Sequence, residues 1–420
     1  MTTRRAYRAS ILTPLAAGGL SYHEDGVMVV DADGTIVEVG PFPGPTPEPI
    51  SLRDLSGRLI APGFVDTHLH YPQTRVIGSA SGPLLDWLDR TIFPEEERFQ
   101  DEVYARRVAV EFVERCLSAG TTTVSAYSTS DPRATEILFD TMAEKGLAGF
   151  AGLTLMDQGC PEPLRLPCDA AMAECRRLVA RFHGFDRGRL GFSVTPRFAL
   201  SCSRKLLEAA GALARELDLP VQTHISEHPR EGAETLVVHS FARDYLGVYE
   251  ATGLLGDKTL LAHAIHFSED EWARVSAAGA RIAHCPDSNL FLNSGRMRLD
   301  RARALNVPVG LGSDVAAGRT FDMRRATAYA YDNALLAGFD VSASELFRMS
   351  TLGGAEALGL GARTGSLEAG KLADFVVLGG RRHDGGLDEA VRAVTFGSEL
   401  APLESTFVRG ERVWHAQPCL

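Results

Sequence analysis

The sequence predicts an α/β protein made of a (β/α)8 TIM-like barrel and a small β-sandwich domain built from both termini. Three observations support this prediction. The centre of the chain alternates short apolar runs with helical stretches, which is the pattern of a parallel sheet with crossover helices. Both ends consist instead of short strand-like segments and turns. The length of 420 residues suits one large barrel with an appendage.

The two ends of the chain share a β-rich pattern. Near the N-terminus, Asp33 and Gly34 separate two apolar alternations, which is a strong hairpin signal. Near the C-terminus, segments 370–378, 391–396 and 405–414 have the same strand-like character. We therefore expect both ends to build one β-sandwich beside a central barrel, with domain limits at 1–61, 62–366 and 367–420.

The barrel strands are predicted from apolar runs in the centre of the chain. The runs are Phe64–His68, Thr122–Ala126, Gly149–Leu155, Leu190–Pro196, Val221–Ile225, Thr259–Ala264, Arg281–Cys285 and Val307–Gly312. Helical patterns fill most of the gaps between them, at 102–119, 170–182, 203–218 and 269–278. Eight strands with intervening helices are the pattern of a (β/α)8 barrel.

Charge and composition indicate which partners and which cellular compartment to expect. The net charge of −11 argues against nucleic acid or an anionic membrane as a partner, because either favours a basic surface. No apolar stretch approaches the roughly 18 residues of a membrane span, and the sequence does not have the pattern of a signal peptide. The seven cysteines are scattered and include no Cys-x-x-Cys pair. We therefore expect a protein of the reducing cytoplasm.

Polar side chains end several of the predicted barrel strands. His68 and His70 lie two residues apart, so on a strand both imidazoles point to the same face. His224, His263 and Asp314 end later strands, and a barrel keeps its active site at these carboxyl ends. A single histidine at such a position more often has a structural role. All four histidines and Asp314 at the ends of predicted strands are improbable by chance. Three histidines with Asp314 suit Zn²⁺ best, with Fe²⁺ and Mn²⁺ as alternatives.

The positions of the lysines indicate one metal ion rather than two. Two-metal barrels of this kind bridge their ions with a carboxylated lysine at the end of the fourth strand. Here that strand is followed by Arg197 and Phe198, and none of the lysines stands at the carboxyl end of a predicted strand. Arginine stays charged and cannot be carboxylated. The sequence therefore predicts one zinc ion per chain.

These motifs resemble those of the amidohydrolase superfamily, in its mononuclear purine and pyrimidine deaminase branch. The segments Pro62–His70 and around Asp314 are general to the superfamily. Other segments are together similar to those of guanine deaminases: Pro83–Leu88, Phe93-Pro94, Arg98–Gln100, Thr195–Cys202, His224–Glu227 and His284–Asn289. The resemblance covers about residues 60–378 and implies a metal-dependent hydrolase barrel. It also implies a homodimer, which is the usual state of the relatives.

The resemblance implies roles for individual residues. Zinc would be bound by His68, His70, His224 and Asp314, and the purine base would be contacted by Gln73, Arg197 and Phe198. The side-chain chemistry agrees, because the C6 carbonyl of guanine only accepts hydrogen bonds and arginine only donates them. Adenine would instead face the guanidinium with an amino group. Gln73 offers a donor and an acceptor to the ring nitrogens, and Phe198 offers a stacking face.

Each of these substrate contacts has a structural alternative. Arg197 could form a salt bridge at the barrel rim, Gln73 could orient a metal-binding histidine, and Phe198 could pack in the core. Glu227 could likewise orient His224 rather than take part in catalysis.

The predicted reaction is hydrolytic deamination of guanine to xanthine and ammonia. A metal-activated water attacks C2, because a bound divalent metal supplies hydroxide near neutral pH. Asp314 accepts a proton from this water, and His263 orients it by a hydrogen bond. Glu227 protonates a ring nitrogen and then helps ammonia to leave, as carboxylates beside the metal do in base deaminases.

The sequence leaves two other functions open. A deaminase of the same branch could act on another aminopurine or a pterin, such as 8-oxoguanine or isoxanthopterin, or on a triazine. A non-catalytic scaffold of this fold is disfavoured, because such proteins lose metal ligands first and the full set is present here. We therefore expect a small-molecule purine as the partner and binding to neither nucleic acid nor membrane.

Overall fold

The computed structural model describes residues 4–43, 50–79, 82–380, 386–397 and 400–417. Backbone proximity divides the chain into two compact units. The first unit holds Met1–Asp66, Glu114–Thr123 and Phe321–Leu420, and the second holds Thr67–Val113 and Val124–Thr320. The predicted domain limits at 1–61, 62–366 and 367–420 stay predictions.

The strands fall into a terminal group and a central group. In chain order they are β1 (Arg4–Pro14), β2 (Leu20–Val30), β3 (Ile36–Pro41), β4 (Ile50–Pro62), β5 (Phe64–His70), β6 (Thr121–Tyr127), β7 (Ala148–Gly152), β8 (Thr154–Leu155), β9 (Leu190–Phe192), β10 (Thr195–Pro196), β11 (Val221–Ile225), β12 (Thr259–His263), β13 (Arg281–His284), β14 (Val309–Leu311), β15 (Phe375–Leu378), β16 (Leu403–Val408) and β17 (Glu411–His415).

The first unit contains a sheet made from both ends of the chain. Its seven strands follow one continuous hydrogen-bonded order, β17-β16-β15-β4-β1-β2-β3. β2 and β3 pair antiparallel, and the Asp31 amide donates to Thr35 across the turn, so the hairpin predicted at Asp33 and Gly34 is confirmed. Buried apolar side chains from both ends, among them Ile11, Met28 and Phe375, share one core cluster.

One predicted terminal strand is wrong. Residues 391–396 lie in a helix that spans Gly386–Phe396. The buried side chains there fall in pairs, Ala390 with Val391 and Val394 with Thr395, four residues apart. A spacing of four puts both pairs on one helical face, whereas a strand with one buried face would bury alternate residues.

The central strands form the predicted barrel. Each of the eight predicted runs contains strand, and the third and fourth runs are each broken into two segments. β11, β12, β13 and β14 pair parallel in that order, and β5, β6, β7 and β9 form a second sheet. The amide of Asp314 donates to the carbonyl of His68 over 2.8 Å, which connects the segment after β14 to β5. Every residue of β5, β6 and β12 is buried, as expected for parallel strands covered on both faces.

Helices fill the connections between the strands. They are α1 (Leu84–Trp87), α2 (Phe93–Glu97), α3 (Glu102–Ser118), α4 (Pro132–Lys145), α5 (Cys168–Phe182), α6 (Phe185–Gly188), α7 (Arg204–Glu216), α8 (Pro229–Val238), α9 (Tyr245–Ala251), α10 (Glu269–Ala277), α11 (Pro286–Phe291), α12 (Leu299–Ala304), α13 (Met323–Leu336), α14 (Ala343–Met349), α15 (Leu352–Ala357) and α16 (Gly386–Phe396). The four predicted helices correspond to α3, α5, α7 and α10. None of the helices in the described part of the chain has the length and apolar character needed to cross a bilayer.

Candidate active site

Four side chains from three barrel strands converge in the second unit. His68 and His70 lie on β5, His224 lies on β11, and Asp314 follows β14. Asp314 Oδ1 lies 3.3 Å from Nε2 of both His68 and His70. The Nε2 atoms of His70 and His224 are 3.2 Å apart. The structure thus brings the four predicted metal-binding residues together, with all four ligand atoms within 4.8 Å of one another.

The spacing of these atoms fits one metal ion. Donor atoms that share one ion at the roughly 2.1 Å typical of zinc–nitrogen bonds lie about 3.0–3.6 Å apart for bond angles of about 90–120°, and the distances observed here fall in this range. The ring of His224 is also correctly oriented. Its Nδ1 lies 2.6 Å from the carbonyl oxygen of Arg197, and because a carbonyl only accepts, Nδ1 carries the proton. Nε2 of His224 therefore presents a lone pair to the cluster.

Burial and mutual contacts determine the protonation states of the side chains in the cluster. It lowers the pKa of His70 to about 3, and it lowers the pKa of His224 well below its ordinary value, so both rings are neutral near pH 7. Burial alone would raise the pKa of Asp314, but contacts with His68 and His70 hold it well below its ordinary value. Neutral imidazoles and an ionised carboxylate are the forms that bind a metal cation.

The backbone around Asp314 is shaped for this arrangement. Asp314 has a φ of 49° and His263 a φ of 75°, a region that non-glycine residues seldom adopt and that is enriched at active sites. Gly312 packs against β5 so closely that a Cβ atom there would lie 2.8 Å from the Cβ of His68. Only glycine permits this approach, which places Asp314 opposite the two histidines of β5.

His263 and Glu227 face the same point beside the metal cluster. Nε2 of His263 lies 3.5 Å from Glu227 Oε2 and 3.9 Å from Asp314 Oδ2. On the other side of the ring, Nδ1 of His263 lies 2.9 Å from Oδ1 of Asn289 on α11. With the amide oxygen in this position, Nδ1 carries the proton and Nε2 offers a lone pair toward Glu227 and Asp314.

Glu227 has the electrostatic character of a proton donor. Burial raises the pKa of Glu227 well above its ordinary value, the charge of Asp314 adds to this, and the charge of Arg197 opposes it. A carboxyl group whose pKa is raised holds its proton more tightly than a free carboxyl group does, which is the property of a general acid. The turn that carries it is held by Glu231, whose Oε2 accepts from the Glu227 amide over 3.1 Å.

A cavity of about 380 Å³, including its open mouth, adjoins these groups. Its lining includes the predicted base-contacting residues Gln73 and Arg197. The lining also includes apolar side chains, among them Phe198, Leu84, Trp87, Leu88 and Leu292. A mostly apolar cavity with a few polar groups is typical of a small-molecule site.

The structure specifies which polar atoms Gln73 and Arg197 offer to the cavity. Oε1 of Gln73 accepts from the Ala316 amide over 3.1 Å, while its Nε2 makes no hydrogen bond to a described residue. Gln73 thus has its Nε2 donor available, while one of the two lone pairs of Oε1 is used by the Ala316 amide. Arg197 Nη1 donates to Glu96 Oε2 over 2.7 Å, in a pair that is buried on both sides. The salt bridge considered as a structural alternative therefore exists, but inside the protein and not at an exposed rim.

Two residues of this region were not predicted as site residues. Glu96 is one of three consecutive glutamates, and only the tertiary contact with Arg197 distinguishes it from Glu95 and Glu97. Asn289 lies in the motif His284–Asn289. The motif did not predict the contact of Asn289 with His263. The cavity is lined by eight of the predicted site residues, His70, Gln73, Arg197, Phe198, His224, Glu227, His263 and Asp314, and the ninth, His68, belongs to the cluster beside it. The roles of all nine stay predictions.

Comparison with known proteins agrees with this geometry. The sequence model of the amidohydrolase family matches residues 59–413, which is most of the chain. The chain belongs to the amidohydrolase family. This membership confirms the resemblance drawn from the motifs.

Individual amidohydrolases resemble the chain over most of its length. Guanine deaminase from Escherichia coli (strain K12) is 37% identical over 366 residues, which cover 86% of this chain and 83% of that protein. Guanine deaminase from Homo sapiens is 35% identical over 350 residues, covering 81% and 77%.

Solved structures show the same relationship. The structure of E. coli guanine deaminase has a TM-score of 0.93 at 34% identity, covering 98% of this chain and 100% of that one. The structure of guanine deaminase from C. acetobutylicum with guanine bound in the active site has a TM-score of 0.90 at 28% identity, covering 98% and 100%. A triazine hydrolase at 22% identity shares the fold, with a TM-score of 0.85.

Proposed function

We propose that this amidohydrolase converts guanine and water to xanthine and ammonia. The observation that supports this most strongly is one cavity that combines a metal-binding cluster, a buried carboxyl group and a guanidinium. These are the groups needed to activate water, to move protons and to recognise a carbonyl on a purine. The similarity to guanine deaminases over most of the chain favours guanine among the aminopurines. Triazines remain the weaker candidate, because the similarity to a triazine hydrolase extends only to the fold.

The cofactor we propose is one zinc ion per chain, with Fe²⁺ as the alternative, held by His68, His70, His224 and Asp314. Three imidazole nitrogens and one carboxylate oxygen are a donor set that suits zinc. When bound, the metal lowers the pKa of a coordinated water and so supplies the nucleophile near neutral pH.

Asp314, His263 and Glu227 carry the proton transfers in our proposal. Asp314 accepts a proton from the attacking water, and the Nε2 lone pair of His263 accepts a hydrogen bond that orients it toward C2 of guanine. In this proposal Glu227 enters the reaction protonated, a form that its burial favours, and it donates to a ring nitrogen as the C2–O bond forms. The proton held by Asp314 then passes to the C2 amino group. The hydroxyl group at C2 returns its remaining proton to Glu227 as the C2=O bond forms, the C2–N bond breaks, and ammonia leaves with xanthine as the other product.

Recognition of the base is assigned to the walls of the cavity. Arg197 donates to the C6 oxygen of guanine, Gln73 donates through Nε2 to an acceptor on the ring, and Phe198 stacks on the ring face. Adenine in the same pose has no amino group at C2 to be replaced, and it would meet the guanidinium with its C6 amino group, which leaves two donors facing each other in a buried site. Such an unpaired arrangement can lower kcat/KM by about 10⁴-fold or more.

Turnover by the purified, zinc-loaded protein tests the proposal. Xanthine and ammonia should form from guanine in equal amounts, and a chelator should abolish the reaction until zinc is restored. Formation of neither product by metal-loaded, folded protein would contradict the proposal.

Three further expectations also stay proposals. We infer a place in purine catabolism from the reaction itself, and a cytoplasmic location from the scattered cysteines, which include the free thiols of Cys116 and Cys285. A homodimer is consistent with exposed apolar side chains on α8, such as Val237. Light scattering would measure the molar mass in solution, and a monomeric mass would contradict the homodimer.

A further inference from the structure

A buried ion pair joins a residue of the cavity lining, Arg197, to a residue outside that lining, Glu96. Arg197 directly follows β10, and Glu96 lies on α2. Their Nη1 and Oε2 atoms are 2.7 Å apart, and the two side chains are 4% and 1% exposed. The only other described polar contact of the guanidinium is a weak one, from Nη1 to Met156 Sδ at 3.9 Å. Arg197 faces the cavity, whereas Glu96 is not part of its lining.

Glu96 has no other polar contact that would account for its burial. Its Oε1 is buried and has no hydrogen-bond partner among the described residues. Burying an ionised carboxylate is unfavourable unless it is paired, and the pairing here rests on Arg197 alone. The neighbouring Glu95 differs, because it contacts both the Tyr104 hydroxyl and Arg98 Nη1, the latter over 2.8 Å, and it does not approach Arg197.

We propose that Glu96 is a positioning residue for substrate specificity: it holds the guanidinium of Arg197 toward the C6 oxygen of a purine and neutralises its charge. This inference rests on the proposed function. An arginine side chain has many rotamers, and one charge-assisted hydrogen bond to Nη1 fixes the planar fork while its other donors stay available. The ring of Phe93, 5.2 Å from the guanidinium carbon, adds a second contact that limits its movement.

Charge neutralisation is the second part of this role. The cavity already adjoins a cluster that binds a divalent cation, and an unpaired guanidinium nearby would repel that cation. In a buried site such repulsion is screened far less than in water. Glu96 lets the protein use the donor geometry of arginine without adding net positive charge, which suits a neutral base such as guanine.

The test compares Glu96→Gln, Glu96→Asp and the matched control Glu95→Gln. Glu96→Gln keeps the size of the side chain but removes the charge that fixes Arg197. We expect kcat/KM for guanine to fall about 10- to 100-fold, because small misplacements of a binding group have effects of this order. Glu96→Asp keeps the charge, so its kcat/KM for guanine should fall less. The control Glu95→Gln should retain the selectivity of the parent enzyme. Metal content and melting temperature identify any variant that has lost its fold.

Inhibition constants for hypoxanthine and purine separate positioning from general damage. Only hypoxanthine carries the C6 oxygen. The parent enzyme should bind hypoxanthine more tightly, and Glu96→Gln should remove most of that preference. An equal weakening of both inhibitors, or a parent enzyme without the preference, would overturn the inference.

A double variant tests whether Glu96 acts through Arg197. In an Arg197→Ala background, Glu96→Gln should change kcat/KM for guanine less than twofold. If Glu96→Gln lowered kcat/KM as much there as in the parent enzyme, Glu96 would act elsewhere. Failure of the parent to deaminate guanine would instead refute the proposed function.

Discussion

Arg197 is the residue whose substitution tests base recognition most sharply. Arg197→Lys keeps the positive charge that pairs with Glu96 but loses the planar fork, whereas Arg197→Ala removes both. Losing a hydrogen bond from a charged donor weakens recognition by about 1.5–3 kcal/mol, which corresponds to roughly one to two decades in kcat/KM. We expect Arg197→Lys to lower kcat/KM for guanine by an amount within this range, and Arg197→Ala to lower it further.

The buried pair predicts a separate effect on stability. Arg197→Ala leaves Glu96 buried with neither oxygen bonded, and removing one partner of a buried ion pair typically destabilises the fold by about 3–5 kcal/mol. Arg197→Met combined with Glu96→Gln removes both charges, so most of this stability should return while guanine recognition stays lost. Urea unfolding of the metal-loaded variants measures the first effect, and steady-state kinetics measure the second.

The control substrate is 2-aminopurine, which lacks the C6 oxygen. If Arg197 recognises that oxygen, Arg197→Ala should reduce kcat/KM for guanine far more than kcat/KM for 2-aminopurine. Equal losses for both substrates would refute this reasoning, and Arg197 would then serve only to support the wall of the cavity. Metal content should be unchanged in every variant, because the arginine is not a ligand.

Three other predictions follow from the site. Elemental analysis should find one divalent metal ion per active chain, and two equivalents, or none in active protein, would contradict the cluster described above. Glu227→Gln should keep its metal yet lose about 10²–10⁴-fold in turnover, because an amide of similar shape cannot transfer protons; near-parental turnover would exclude this role. Asn289→Ala should lower kcat about 10- to 100-fold by releasing the ring of His263, and an unchanged kcat would show that the 2.9 Å contact does not orient it.

The sequence predicted the barrel well because its strands are buried on both faces. Such strands appear as continuous apolar runs, and the predicted site residues lie at or just after their carboxyl ends, so the sequence indicated where these side chains would meet. His224 and Asp314 are separated by many residues in the chain, yet strand order alone brings their side chains to the same end of the barrel. The same property explains why the sequence could name the four side chains that the structure brings together; their binding of a metal stays a prediction.

Other features depended on contacts that the sequence does not encode locally. Segment 391–396 has the residue types of a strand, and only its packing shows that the buried positions repeat with helical spacing. The pairing of Glu96 with Arg197 joins residues that are 101 positions apart and lie on unrelated elements. The orientation of Gln73 depends on a hydrogen bond from the backbone amide of Ala316, and no pattern of residue types in the sequence predicts such a contact.

The most direct test of this account is a comparison of kcat/KM for guanine, 8-oxoguanine, isoxanthopterin and adenine with one preparation of zinc-loaded protein. Ammonia release and product formation would be measured together for each compound. We predict that guanine has the highest kcat/KM, yields xanthine and ammonia in equal amounts, and exceeds adenine by about 10⁴-fold or more. A higher kcat/KM for another base, or comparable turnover of adenine, would contradict the assignment of guanine as the substrate.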